Sequence, residues 1–144
     1  MRNIKFVALF LAVLMIAGAM IGCKKQEEEV GEQIFINIKI VGEEGEVILE
    51  EEQYPTNATN VYDAVKYACE ALGVNYSSSS DGNDLNSFDG VIEFEDDEYM
   101  YYWNYTINNK ESKAENAASQ AIEDGDKIVY TYESYKLGSA DTAE

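Results

Sequence analysis

The chain has 144 residues, and its 28 acidic residues far outnumber its 10 Lys and Arg residues, so the formal net charge is -18 at pH 7. This charge argues against nucleic acid as a partner, because phosphates are bound through Lys and Arg. The sequence contains no histidine, which removes Ser-His-Asp and Cys-His catalysis and His-ligated zinc. We therefore predict a protein that is not an enzyme.

The amino terminus has the order of residues that is typical of an export signal. Arg2 and Lys5 precede an uncharged apolar run at residues 6–21, and the small residue Gly22 follows that run. An apolar run of about 16 residues is marginal for a helix that must cross about 30 Å of hydrocarbon. We predict a cleaved signal peptide at residues 1–22 rather than a permanent membrane span.

The tetrapeptide Met20-Ile21-Gly22-Cys23 resembles the bacterial lipobox. The resemblance implies that Cys23 is lipidated and becomes the new amino terminus, which would anchor the protein to the cell membrane on its extracytoplasmic side. The alternative is an ordinary secretory signal followed by an incidental cysteine. Residues 24–33 are polar and rich in Glu, so residues 23–33 are predicted to be the lipidated cysteine and an acidic linker.

Two strands and a helix are predicted next. Isoleucines occupy every second position from 34 to 40, which indicates a half-buried strand, and a turn at residues 42–45 leads to a second strand. A helix is predicted from Asn60 to Leu72, with Thr59 or Asn60 as its cap and Gly73 as its left-handed end. Cys69 is predicted to be a small buried residue. The apolar stripe of the helix comprises Val61, Ala64, Val65, Ala68 and Leu72.

The second half of the chain predicts three more strands. Residues 75–88 include four consecutive serines and have no apolar period, so we predict an exposed loop there. Strands are predicted near residues 91–94, at 99–107 and at 127–132, with Asn108-Asn109 as a turn. The element order predicts an α+β fold with a β-grasp-like mixed sheet covered by one helix. The domain is predicted at residues 34–135 and a disordered tail at 136–144.

Two segments of the chain resemble the transcobalamin-like C-terminal domain family: Trp103-Asn104-Tyr105-Thr106-Ile107-Asn108-Asn109 and residues 122–132, which contain Asp124-Gly125-Asp126. Asn109 stands where the family usually has glycine, and Asn also tolerates positive φ. In the transcobalamin-type carriers this small domain closes over one face of a corrin ring, while a larger helical domain, not predicted here, covers the other. The resemblance therefore implies a β-grasp-like fold and cobalamin or another corrinoid as a candidate ligand.

Aromatic residues provide the candidate ligand-binding positions. Tyr99, Tyr101, Trp103 and Tyr105 share one face of the strand at 99–107, where they form either core or an exposed platform. Tyr102 points to the opposite face, and Tyr62 and Tyr67 lie on the helix away from its apolar stripe. The predicted ligand-binding residues are Trp103, Tyr101, Tyr105, Tyr62 and Tyr102.

Neither a metal site nor a carboxylate catalytic pair is predicted. Residues 81–86 have part of a calcium-loop pattern, but Leu85 occupies a ligand position and the required glycine is absent. The acids at 93–98 are read as a solvated edge. Two hypotheses remain: a ligand-binding lipoprotein that captures a corrinoid together with an envelope or uptake-system protein, and a protein-interaction or adhesion module of the cell envelope that uses an acidic face or an open sheet edge.

Overall fold

The computed structural model of the protein describes residues 32–138. The predicted signal peptide, Cys23, nearly all of the linker and residues 139–144 lie outside the described residues. The elements are β1 (Ile34–Val41), a 3₁₀ turn (Glu43–Gly45), β2 (Val47–Thr56), α1 (Val61–Leu72), β3 (Tyr76–Ser78), β4 (Leu85–Phe88), β5 (Val91–Ile92), β6 (Phe94–Glu95), β7 (Tyr99–Ile107), β8 (Lys110–Glu111), a second 3₁₀ turn (Ala117–Ser119) and β9 (Lys127–Lys136).

The main sheet has the order β2-β1-β9-β7-β6, and β8 also pairs with β7. The first and last strands, β1 and β9, run parallel at its centre, whereas β2 pairs antiparallel with β1 and β7 antiparallel with β9. A parallel central pair flanked by antiparallel strands is the predicted β-grasp-like arrangement. The α+β class, with a mixed sheet and one α-helix within residues 32–138, is confirmed.

The core lies between α1 and one face of the sheet. The predicted alternation of β1 is confirmed, because Ile36, Ile38 and Ile40 are completely or almost completely buried. From β9, Ile128 and Tyr130 join them. Each large apolar side chain that is fully buried contributes about 1.5–3 kcal/mol to folding, so this face of the sheet carries a large part of the stability.

Helix α1 begins and ends where its sequence predicts. The Asn60 side chain accepts a hydrogen bond from the Asp63 N–H at 2.8 Å, and Gly73 ends the helix at φ 74°. Cys69 is buried as predicted, and burial, followed by the charge of Glu70, raises the pKa of its thiol to about 12. The prediction for Leu72 is wrong: it is 45% exposed, because the chain turns at Gly73 and Val74 packs against the core instead.

The exposed loop predicted at residues 75–88 is wrong at both ends of the segment, whereas residues 79–84 form no strand, as predicted. Strands β3 and β4 form there, and β4 pairs with both β3 and β5 in a separate three-stranded sheet. Leu85 and Phe88 are buried, and the Phe88 ring meets the Trp103 ring edge-on at 4.8 Å. The segment shows no apolar period because Leu85 and Phe88 are its only buried apolar residues. The ring partners of Phe88, Trp103 and Tyr130, lie in distant strands.

The hairpin from β7 to β8 and the far end of β9 complete the fold. Asn108 and Asn109 both adopt positive φ, at 53° and 61°, which confirms the predicted two-residue turn. The last strand extends beyond its predicted end at Tyr132 to Lys136. The extension is supported by β7, whose first residue Tyr99 pairs with Lys136.

Candidate functional site

Aromatic rings contact one another in a row that runs along the sheet from the core to the surface. We call this row the aromatic ladder. Its buried half consists of Phe88, Trp103 and Tyr130, of which Trp103 retains only 6% exposure. The Phe88 ring lies 4.8 Å from Trp103 and 5.1 Å from Tyr130, both in edge-on geometry. Such pairs add about 0.5–1.5 kcal/mol beyond area burial, so this half of the ladder is structural.

The more exposed half of the ladder consists of Phe94, which is 46% exposed, and the half-buried residues Tyr99, Tyr101 and Tyr132. We call this half the aromatic strip. Phe94 stacks on Tyr101 at 4.4 Å, and Tyr101 lies 6.3 Å from Tyr132. The Tyr132 ring in turn lies 5.1 Å from Trp103, where the ladder enters the core. The sequence left open whether these residues form core or a platform. The ladder is buried at one end and accessible at the other.

Trp103 is fixed at this boundary by polar contacts from the segment that precedes β6. Its indole Nε1–H donates to the Val91 carbonyl at 3.1 Å, and its backbone N–H donates to the Glu93 carboxylate at 2.9 Å. Burial raises the pKa of Glu93, the Trp103 N–H opposes that change, and the charge of Asp84 adds to it. The predicted role of Trp103 as an exposed ligand contact is therefore not supported by its position.

The surface around the aromatic strip is acidic. The pKa of Tyr101 is raised, first by loss of hydration and then by Asp96. Loss of hydration also raises the pKa of Tyr132, followed by the charge of Glu43, and its hydroxyl donates to the Ile92 carbonyl at 2.7 Å. The strip therefore offers flat apolar rings, phenolic hydroxyls and a rim of carboxylates.

A cavity of about 330 Å³ lies beside β7, and two predicted site residues line it. Tyr102 stands on the open face of the sheet, where its hydroxyl donates to Glu133 at 3.2 Å. Tyr105 stands on the opposite face and stacks on Tyr130 at 5.3 Å. Its hydroxyl is buried and makes no hydrogen bond of ordinary geometry within the described residues. Burial raises the pKa of Tyr105, and an interaction with Ser112 lowers it.

Tyr62 and Tyr67 occupy the helix. The Tyr62 hydroxyl shares a hydrogen bond of 2.9 Å with the Ser78 hydroxyl of β3, and Lys66 Nζ lies 5.8 Å from the Tyr62 ring centroid. Tyr67 is 46% exposed, as predicted. Tyr62 thus ties the helix to the small sheet and forms no part of the ladder.

The five predicted residues therefore fall in four places: Trp103 in the core, Tyr101 in the strip, Tyr102 and Tyr105 on the cavity, and Tyr62 on the helix. Sequence reasoning missed Phe94 as a site residue. The acidic turn at Asp96 and Asp97 was its signal, because a tight turn there pairs Phe94 with Tyr101 in the next strand.

The acidic residues of the partial calcium-loop pattern accept local hydrogen bonds. The Asp81 carboxylate accepts from the Ser79 hydroxyl at 2.5 Å, a contact that is the largest cause lowering its pKa. Asp84 accepts from the Ala117 N–H at 2.7 Å. No cluster of three or more potential metal ligands occurs in residues 32–138. Over the same range, no helix has the length and apolar character needed to cross a membrane.

No family model and no curated protein matches the sequence. The fold is similar to that of a "putative metal binding protein" from Ruminococcus gnavus, with TM-score 0.51, 16% identity and coverage of 69% of this chain and 96% of that one. It is also similar to haptocorrin in complex with Cbi, with TM-score 0.54, 14% identity and coverage of 74% of this chain. This chain spans only 26% of haptocorrin.

These likenesses concern the fold, because both identities are low. They agree with the fold that the resemblance to the transcobalamin-like C-terminal domain family implies. Neither neighbour is described as an enzyme.

Proposed function

We propose that the protein is a lipid-anchored lipoprotein on the extracytoplasmic side of the cell membrane, and that its non-catalytic domain binds a corrinoid on the aromatic strip. The observation that carries the proposal is a partly exposed run of stacked rings on a domain whose fold resembles haptocorrin, which was solved in complex with Cbi. The membrane attachment rests on the sequence at Cys23 alone.

A corrinoid suits the chemistry of the strip. Its macrocycle is broad and largely apolar, so it gains most from apolar aromatic surface such as that of Phe94, which is 46% exposed and is held in a stack on Tyr101. The amides at its periphery can donate hydrogen bonds to nearby carboxylates, of which Asp96 and Glu43 already influence Tyr101. Apolar area with a few polar groups at its margin is the usual composition of a small-molecule site.

The size of the ligand favours the strip over the cavity beside β7. That cavity has a volume of about 330 Å³, which is at the lower end of the range for drug-sized ligands. A macrocycle needs an open surface, and the strip provides one. A surface of this kind covers one face of the ligand, so an envelope or uptake-system protein would supply contacts to the other.

Titration of the full chain in mild detergent with cobinamide tests the ligand. We expect saturable changes in the visible spectrum of the corrinoid and quenching of Trp103, which lies 5.1 Å from Tyr132 of the strip. The double variant Phe94→Ala/Tyr101→Ala should weaken binding by about tenfold or more, since two aromatic contacts are lost.

Tyr67→Ala is the matched control, because Tyr67 and Phe94 are both 46% exposed but Tyr67 lies on the helix. It should bind cobinamide as the unmodified chain does. A flat titration up to about 1 mM, which corresponds to about -4 kcal/mol of binding free energy, would reject the corrinoid, and an equal loss in the Tyr67 variant would reject the strip as its site.

The membrane attachment is tested separately. We expect mass spectrometry of the mature amino-terminal peptide to find an acylated Cys23, and Cys23→Ser to shift the protein out of the membrane fraction, because the lipid provides the anchor. An unmodified sulfur in the mature protein would contradict the anchoring whatever the result with cobinamide.

A further inference from the structure

The sheet has an interruption along the outer edge of β7. On the side away from β9, β6 pairs with Met100 and Tyr101, and β8 pairs with Thr106 and Ile107. Within the described residues no strand pairs with positions 102–105 on that side. At about 3.3 Å per residue, the four unpaired positions span about 13 Å, which is the length of an extended segment of at most about four residues.

At every second position of this interruption the backbone groups point outward. The Trp103 N–H is directed away from β9 and donates to the Glu93 side chain at 2.9 Å, in the place where a neighbouring strand would offer a carbonyl. In an antiparallel ladder the direction of these groups alternates with a period of two residues. The N–H and C=O of Tyr105 therefore point the same way, towards the region where Tyr105 lines the cavity.

The lining of this cavity selects for a cation. Asp84, Glu111 and Glu115 contribute carboxylates to it, and no Lys or Arg lines it. Tyr102 and Tyr105 also line it, from opposite faces of the sheet. Carboxylates bind guanidinium and ammonium groups through charge-assisted hydrogen bonds, and aromatic faces attract the same groups.

A second cavity shows that the acidic lining is not general to this protein. It measures about 310 Å³ and lies at β1 and β2, where Lys39 and Lys127 are part of the lining. Lys39 forms an ion pair of 3.0 Å with Glu50 there. Of these two cavities in the described residues, the β7 cavity combines an unpaired strand with carboxylates that lack a basic residue beside them in the lining.

We propose that the interrupted edge of β7 is a docking site for an extended basic segment of a partner protein. The segment adds a short strand whose backbone pairs with Tyr105, and one of its Lys or Arg side chains enters the cavity. Charge complementarity identifies the occupant, and strand addition supplies the backbone hydrogen bonds. The site is separate from the aromatic strip, so it does not depend on the corrinoid.

The experiment uses the full chain in mild detergent, labelled with ¹⁵N, and a blocked peptide Val-Lys-Val as probe, which is short enough for the four unpaired positions. We expect saturable shifts of the Tyr105 and Ser112 amide signals and slowed hydrogen exchange at Tyr105. The same peptide with norleucine in place of Lys should bind at least about tenfold more weakly, because it lacks the charge that the cavity selects.

Matched variants separate the site from the general negative charge of the protein. Glu111→Gln/Glu115→Gln should weaken the Lys peptide by about tenfold, whereas Glu46→Gln/Glu52→Gln, which removes the same charge near the other sheet edge, should change it less than about twofold. Equal losses in both variants would overturn the proposal, as would equal binding of the norleucine peptide. If lysine amide alone gives the same affinity and shifts, the site takes a small cation and the strand addition is refuted.

Discussion

The two halves of the aromatic ladder contain the same kinds of residues and have different environments. Trp103 and Tyr130 are buried under Phe88, whereas Tyr101 and Tyr132 continue the same face of the same strands and remain accessible beside Phe94. The alternation of β7 does not distinguish them, since Tyr101 and Trp103 are in phase. What separates them is whether another part of the chain covers the ring.

The comparison shows how one strand can serve stability at one end and recognition at the other. Burial of Trp103 by Phe88 holds β7 in place, and the ring contact from Trp103 to Tyr132 links that fixed end to the strip. Rings supported in this way lose little freedom when they bind a flat ligand. Changes in the buried half should therefore lower the free energy of unfolding, and changes in the exposed half should alter binding.

The largest effect is expected for Trp103→Ala, which should lower the free energy of unfolding by about 3–5 kcal/mol in urea denaturation. The variant loses the Phe88 contact and leaves the Val91 carbonyl without its indole donor. Phe94→Ala is the control from the exposed half, with an expected cost below about 1 kcal/mol. Similar costs for the two variants would remove the distinction between the halves.

A smaller change, Tyr to Phe, should have opposite signs in the two halves. The Tyr130 hydroxyl is buried without a hydrogen-bond partner in the described residues, so Tyr130→Phe should raise the free energy of unfolding by about 1 kcal/mol. Tyr132→Phe loses the bond to the Ile92 carbonyl and should lower it by about 0.5–1 kcal/mol. Urea unfolding measures both, and a loss of stability in Tyr130→Phe would indicate that its hydroxyl is bonded.

The smallest effect concerns Glu93, which lies where the ladder passes from core to surface. Burial raises the pKa of Glu93 in the folded state, so folding favours the protonated form. The free-energy penalty of burying the ionised carboxylate is therefore largest at neutral pH. The penalty should fall as the pH decreases towards the raised pKa. The unmodified protein should therefore gain stability from Glu93 as the pH falls from 7 to about 5. We expect Glu93→Gln, whose amide oxygen can still accept from the Trp103 N–H, to lack this contribution.

Glu52→Gln is the control for this measurement, because it removes one negative charge from an exposed position. The difference between the two variants should be below about 1 kcal/mol, since water still reaches Glu93. An identical pH dependence in both variants would mean that the location of Glu93 has no effect.

Much of the fold was predictable because its signals are local. The alternating isoleucines of β1, the Asn60 and Gly73 ends of the helix and the Asn108-Asn109 turn each follow from side-chain preferences that act over a few residues. The candidate site was predictable only in part. The aromatic strand was recognised, but its buried and exposed residues could not be told apart from a period that both share.

By itself, the sequence determined the α+β class of residues 32–138, with a mixed sheet and a helix, because periodicity, caps and turns act locally. Only the tertiary structure decided that Leu85 and Phe88 are core, that Trp103 is buried beneath them and that Tyr101 meets Phe94 at the surface. The physical reason is that burial depends on which distant segment packs over a side chain. Burial therefore depends on residues that are far apart in the sequence, whereas the signals for strands and helices lie within a few neighbouring residues.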